Sequence, residues 1–261
     1  MNVLKTVTIG VLSRIVPLRI KNSLFHLAYH LAPEEFEKFA YNYGFAPNMR
    51  LGLAAMAERG FSPHTIIDVG AFEGSWSKLA KHIWPSSKLF MIEPNRENKE
   101  CLAVLARQLD ATLFFELLGQ ANGLNVEFKV MGSGSSIMGE RSALPRRTEV
   151  RQLRTLDFLL KDIERPALLK IDAQGYELEI LKGASMILRA FEAVLLEVAV
   201  IEINEGAPLL HDVVAFMKTR RFVAYDIVEI HRRPLDHALN QVDIVFVSEQ
   251  SQLIADKRHF A

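Results

Sequence analysis

Four carboxylates stand at or near the ends of short apolar runs: Asp68 in TIIDV, Glu93 after KLFMI, Asp172 after ALLKI and Glu197 in AVLLEV. An acidic side chain at the carboxyl end of a buried parallel strand can accept hydrogen bonds from ligand hydroxyls. In an open parallel sheet, ligands sit outside those strand ends. Asp68, Glu93 and Asp172 should therefore converge on one rim. The first run passes into a glycine turn, Gly70-Ala71-Phe72-Glu73-Gly74, and then into SWSKLAKHI, whose apolar residues recur at helical spacing. Gly70 and Gly74 let backbone approach a ligand or take positive φ. Strand, glycine turn and helix make the first half of a nucleotide-binding α/β unit. A dinucleotide fingerprint would require glycines at positions 72 and 75, where the chain has Phe72 and Ser75, so the nicotinamide reading is weak.

Each carboxylate has a simpler role to set beside this one. Asp68 and Asp172 could cap the helices that follow them, and Glu93, ahead of Pro94, could accept a turn bond. Glu197 and Glu202 flank one strand end, and both could be plain surface groups. Among eight histidines, His231 in EIHRRPLDH is the best placed to reach a substrate, from a loop between the last two strands, although His237 competes. His211, beside Asp212 on a helix, has the placement of a surface residue. No His, Asp, Glu or Cys set has diagnostic metal spacing, so no metal is expected.

The elements that must position these groups alternate. Strands are expected at 65–69, 88–92 and 112–118, with helices at 75–83 and 96–109 between them. NVEFKV is a further strand candidate. TLDFLLKDIE reads as a helix, ALLKID as a strand, YELEILKGASMIL as a helix, AVLLEV as a strand and PLLHDVVAFMKTRR as a helix. FVAYDIV and VDIVFV then suit an antiparallel edge hairpin. The fold class is α/β, a doubly wound and mostly parallel sheet with that hairpin at one edge and a helical amino-terminal extension. The stretch MGSGSSIMGERSALPRRTEVRQLR carries three glycines and five arginines. It could cradle a phosphate or face an anionic substrate, but it lacks the P-loop lysine, and a solvated loop is the competing account.

With 261 residues, 49% hydrophobic and 24% charged, the chain can bury one substantial core. Thirty-one basic residues balance 31 acidic ones, so no global field draws it to nucleic acid, and no nucleic-acid partner is expected. Its single cysteine, Cys101, forms neither an internal disulfide nor a metal cage. No apolar run is long enough to span a membrane, and the amino terminus lacks a signal-peptide pattern, so a cytoplasmic location is expected. Lys5, Arg14, Arg19 and Lys21, interleaved with apolar residues, fit an amphipathic helix broken near Pro17. That helix either packs on protein or contacts the inner membrane surface peripherally.

Three stretches carry a resemblance to a known family. IIDVGAFEGSWS (66–77), FMIEPNRENKECL (90–102) and LLKIDAQGYELEILKGA (168–184) resemble the motifs of the FkbM-type S-adenosylmethionine-dependent methyltransferases. The similarity runs from about 64 to 247, with Phe72 and the LLGQANG stretch (117–123) as departures. The resemblance implies a class I methyltransferase-like domain over 64–250, preceded by the extension 1–63 and followed by a tail at 251–261. It implies S-adenosylmethionine as cofactor, with Asp68, Gly70, Ala71, Gly74, Glu93, Pro94 and Gly119 around it. It also implies methyl transfer to a hydroxyl of a sugar, glycan or glycolipid precursor, and it tips Asp172 toward the active site as first choice of base; His231, of a residue type that titrates near neutral pH, is the alternative, and Glu197, at its strand end, is the candidate to touch substrate. A non-sugar small-molecule acceptor and a non-catalytic cofactor-binding partner protein are the rival readings, and oligomeric state is left open.

Overall fold

The computed structural model describes residues 17–44, 46–141, 145–161 and 163–259. The apolar stretch 7–12, Lys5 and Arg14 of the amino-terminal helix reading lie outside the described residues. The chain divides into two compact units, residues 1–48 and 49–261. In the first, α1 (Leu18–Leu31) and α2 (Pro33–Asn42) meet through edge-on contacts of Phe36 with Phe25 and Tyr29. Pro33 at the first turn, followed by Glu34 and Glu35, starts α2 as dipole chemistry favours. No described helix is long and apolar enough to cross a membrane.

The second unit begins with α3 (Met49–Glu58), whose Leu53 and Met56 are fully buried. It is built on seven strands: β1 (Thr65–Val69), β2 (Lys88–Ile92), β3 (Ala111–Phe114), β7 (Ala167–Ile171), β8 (Phe191–Ala199), β9 (Phe222–Arg232) and β10 (Leu239–Ser248). Their order is β3-β2-β1-β7-β8-β10-β9. The first five pair in parallel and β10 is antiparallel to both neighbours. The doubly wound reading and its antiparallel edge hairpin are therefore realised. Order reverses at β1, where β2 and β7 flank it on opposite sides, and such a switch point opens a crevice above the strand ends.

The sequence of β1 shows why both faces are covered. Ile66 faces one apolar cluster, with Leu89, Leu168 and Leu195, while Ile67 and Val69 face another, with Leu169 and Leu196. Helix α4 (Ser75–Ile83) and α5 (Lys99–Gln108) match the expected periodicity. α8 (Leu210–Thr219) follows β8 as expected.

Several expected elements differ. The strand expected over 112–118 breaks after Phe114, and β4 (Leu117–Leu118) joins a second sheet of order β4-β6-β5 with β5 (Asn125–Val130) and β6 (Arg147–Arg154). The arginine-rich end of the expected loop is thus a strand, because β5 pairs with it from Arg147 to Gln152 and β4 pairs with Leu153 and Arg154. The two helices expected after β6 and β7 shrink to α6 (Leu156–Leu159) and α7 (Glu177–Lys182). At Gly183 the chain passes so close to the Gly119 carbonyl that a Cβ would lie 2.1 Å from its oxygen, and α7 ends there. Most consequentially, β9 and β10 run past the expected hairpin ends, so His231 sits on a strand and not in a loop.

Candidate active site

A cavity of about 390 Å³ opens above the carboxyl ends of β1, β2, β7 and β8. Gly70, Glu93, Pro94, Asp172 and Glu197 of the sequence-derived set line it. At Gly70, φ is +74°, and a Cβ would fall 1.9 Å from the Asp172 carbonyl oxygen, so no other residue fits between β1 and β7 there. Gly74 also has positive φ, but its missing Cβ faces Leu105, Met91 and Leu102, which makes it a packing glycine under α4.

Glu93 is held on both oxygens. Oε2 accepts from Phe72 N and Oε1 from Asn95 N, each at 2.7 Å. Burial pushes its carboxyl up, while those backbone donors pull the other way. Phe72, standing where a glycine was looked for, adopts φ +47° to bring its N–H to this carboxylate. Each oxygen keeps a second lone pair, so Glu93 can accept two further hydroxyl donors from the cavity.

Behind this lining lies Lys170, which the sequence reading passed over. Its ammonium is 3.2 Å from Asp68 Oδ1 and 3.5 Å from Asp172 Oδ2, and it donates to the Gly70 carbonyl at 3.0 Å. Burial pulls its pKa down, but the neighbouring carboxylates outweigh burial and hold it above the ordinary lysine value. A lysine inside an otherwise apolar buried strand, ALLKI, was the available signal. Asp68 is fully buried and accepts from Ser77 Oγ at 2.7 Å, so it ties β1 to α4 and Lys170 and does not line the cavity. Ala71 packs in the core beside it and Gly119 lies against Leu153 and Tyr176, and neither Ala71 nor Gly119 lines the cavity.

On the opposite wall, Gln174, with φ +52°, spans two acids. Its Nε2 donates to Asp172 Oδ1 at 3.0 Å and Glu197 Oε2 at 2.8 Å. Glu197 is pushed well above the usual carboxylate range by burial, and by the nearby Asp172, Glu177 and Asp243. Glu177, buried at the start of α7, accepts from the N–H groups of Ala173 and Gly175, yet burial lifts it to about 7. The glycine and serine loop lines the cavity from Gly132 to Ile137, and Ser136 Oγ anchors it by donating to the Gln174 carbonyl at 3.0 Å.

None of the five arginines considered for an anionic substrate lines the cavity. Arg141 pairs with Glu202, Arg147 with Glu97 and Glu149, and Arg151 with Glu149. His231 is also outside the lining; its Nε2 lies 2.7 Å from Asp243 Oδ2 on the neighbouring strand.

Glu93 after the second strand and Gly70 after the first line a cavity at the switch point, the place where open α/β sheets bind ligands. The sheet order and its antiparallel hairpin give the class I methyltransferase architecture. Residues 68–224, more than half of the chain, match the family described as methyltransferase FkbM domain, and the chain belongs to that family. No curated protein matches it. Among solved structures it is similar to the methyltransferase FkbM from Methylobacillus flagellatus KT, with 17% identity and a TM-score of 0.45. That match covers 70% of this chain and 44% of the relative, so the chain spans less than half of that protein's length. It is also similar to the O-methyltransferase TomG from Streptomyces achromogenes, at 14% identity and TM-score 0.43, covering 75% and 78% of the two chains. The TrmK of M. capricolum is similar at 10% identity and TM-score 0.42, covering 77% and 68%. Likenesses this distant carry no activity to the chain.

Proposed function

We propose that this protein is an S-adenosylmethionine-dependent O-methyltransferase whose acceptor is a hydroxyl of a sugar, glycan or glycolipid precursor. The observation that carries the reading is that Glu93 and Asp172 face one cavity from neighbouring parts of the same rim. Glu93, pinned through both oxygens by backbone, suits the ribose hydroxyls, and Gly70 and Pro94 complete that wall. When bound, the cofactor supplies an electrophilic methyl on a sulfonium.

This chain's part is positioning and proton removal. Asp172, held by Gln174 on Oδ1, is the proposed base: as the acceptor oxygen attacks, its proton passes to a free lone pair of this carboxylate. Lys170 fixes the other oxygen of Asp172 from behind. Gln174, Glu197 and Gln241 add acceptors and donors around the cavity, which favours a ligand with several hydroxyls. No arginine lines the cavity among the described residues, which favours an uncharged acceptor group over a phosphate. The walls and the Gly132–Ile137 loop exclude water and hold oxygen and methyl in line.

The decisive experiment incubates the protein with labelled methyl donor and fractionated glycans, lipids and small molecules. Label in a glycan or glycolipid fraction is expected, as an alkali-stable ether. Label only in an amine or an apolar small molecule would overturn the acceptor, and binding without any transfer would make the protein a cofactor-binding partner.

A further inference from the structure

Beside the cavity, the edge hairpin gathers groups that the proposed reaction does not use. Across the β9-β10 ladder Asp243 stands opposite Glu229, and on its other side it pairs with Glu197 of β8. His231, two residues beyond Glu229, projects from the same face of β9. One ligand atom from each of Glu229, His231 and Asp243 can be chosen so that all lie within 4.8 Å of one another. Asp243 is buried, whereas Glu229 and His231 are half-buried, leaving a side open for water or a further ligand.

The charge around this group is one-sided. Glu197, Asp243 and Glu229 follow one another across three strands, and among the described residues no lysine or arginine lies within 4 Å of any of them. The close positive partner of Asp243 is His231, while the charge of Lys170 acts on Glu197 from the cavity side. Two carboxylates and an imidazole are also the donor set that divalent first-row ions favour; magnesium and calcium prefer oxygen alone. The sequence could not show this set, because Glu229 and His231 are separated from Asp243 by the hairpin turn.

We propose that Glu229, His231 and Asp243 form a binding site for a divalent transition-metal ion such as Mn2+ or Zn2+, on the edge hairpin next to the cavity. The ion takes the place of the proton between His231 Nε2 and Asp243 Oδ2, and water fills the remaining positions. Gln241, which lines the cavity, is paired with His231 across the ladder, so the ion stands one ladder step behind the cavity wall. The site rests on hairpin geometry and charge, and it holds whatever the acceptor of the methyl group.

The test uses full-length protein stripped with a chelator and titrated with Mn2+, free ion being followed by electron paramagnetic resonance and Zn2+ by competition. One Mn2+ per chain is expected, displaced by Zn2+. His231→Ala and Glu229→Gln should each weaken it at least about tenfold, the smallest loss that even outer partners of a metal cause. Circular dichroism checks each variant's fold; Glu229, half-buried on an edge strand, serves if His231→Ala fails to fold. Absence of stoichiometric Mn2+ and Zn2+ binding would overturn the proposal, as would unchanged affinity in a folded Glu229→Gln protein. None of these readouts depends on methyl transfer, so failure of the site and failure of the proposed reaction are told apart.

Discussion

Lys170 Nζ lies 3.2 Å from Asp68 Oδ1, and both side chains are withdrawn from solvent, at 8% and 0% exposure. This pair joins the two central strands directly beneath the cavity, since Asp68 and Lys170 are register partners in the β1-β7 ladder. Removing one member of such a buried pair leaves an uncompensated charge, at a cost of about 3 to 5 kcal/mol. Lys170→Met should therefore lower the thermal midpoint by several degrees even though the new side chain fills similar volume. Calorimetric unfolding of the two proteins checks it, and an unchanged midpoint would show that the pair contributes nothing to stability.

Glu93→Ala should weaken S-adenosylhomocysteine binding about tenfold to a hundredfold, since two charge-assisted hydroxyl bonds are lost. It should also destabilise the fold modestly, because Phe72 N and Asn95 N lose their acceptor. Isothermal titration of the folded variant decides the point. Wild-type affinity would take Glu93 out of the cofactor site.

Asp172→Asn keeps the side chain's shape and an oxygen for Gln174 but cannot take a proton. If Asp172 is the base, turnover should fall by about two to four decades, with cofactor affinity changed far less. Single-turnover rates with labelled donor measure this separately from binding. Near-normal turnover here, together with its loss in His231→Ala, would transfer the role to His231.

Glu177 gives a pH signature. Its carboxyl is held at about 7 in the folded chain against an ordinary value of 4.5. Between those pH values the folded chain keeps a proton that the unfolded chain releases, so stability falls as pH rises from 4.5 to 7. Glu177→Gln removes this dependence while an amide oxygen still accepts from Ala173 and Gly175. Urea unfolding at pH 5 and pH 8 should show the variant gaining roughly 1 to 3 kcal/mol on wild type at the higher pH. Equal stability differences at both pH values would contradict the assignment.

Strands, most helices and the rim were legible in the sequence because each is written locally. Apolar runs of strand length ended in Asp68, Glu93 and Asp172, and α4, α5 and α8 carry their periodicity in ten residues or fewer. Boundaries failed where a long-range contact overrode local preference. The Gly183 contact with Gly119 ends α7, and pairing with β5 turns an arginine-rich stretch into β6.

By itself the sequence determined the class of the fold, the family resemblance and the rim carboxylates, since strand ends and glycine turns are properties of short consecutive stretches. Only the tertiary structure decided which of those groups reach the cavity. Asp68 turns inward to Ser77 and Lys170, and Gly74 faces Leu105, whereas Glu93, Asp172 and Glu197 line the opening. It alone extended the hairpin and brought His231 to Asp243, 12 residues further along the chain. The reason is physical: which way a side chain points and what charge it meets depend on strands paired across the sheet, and register between distant strands is not contained in any one of them.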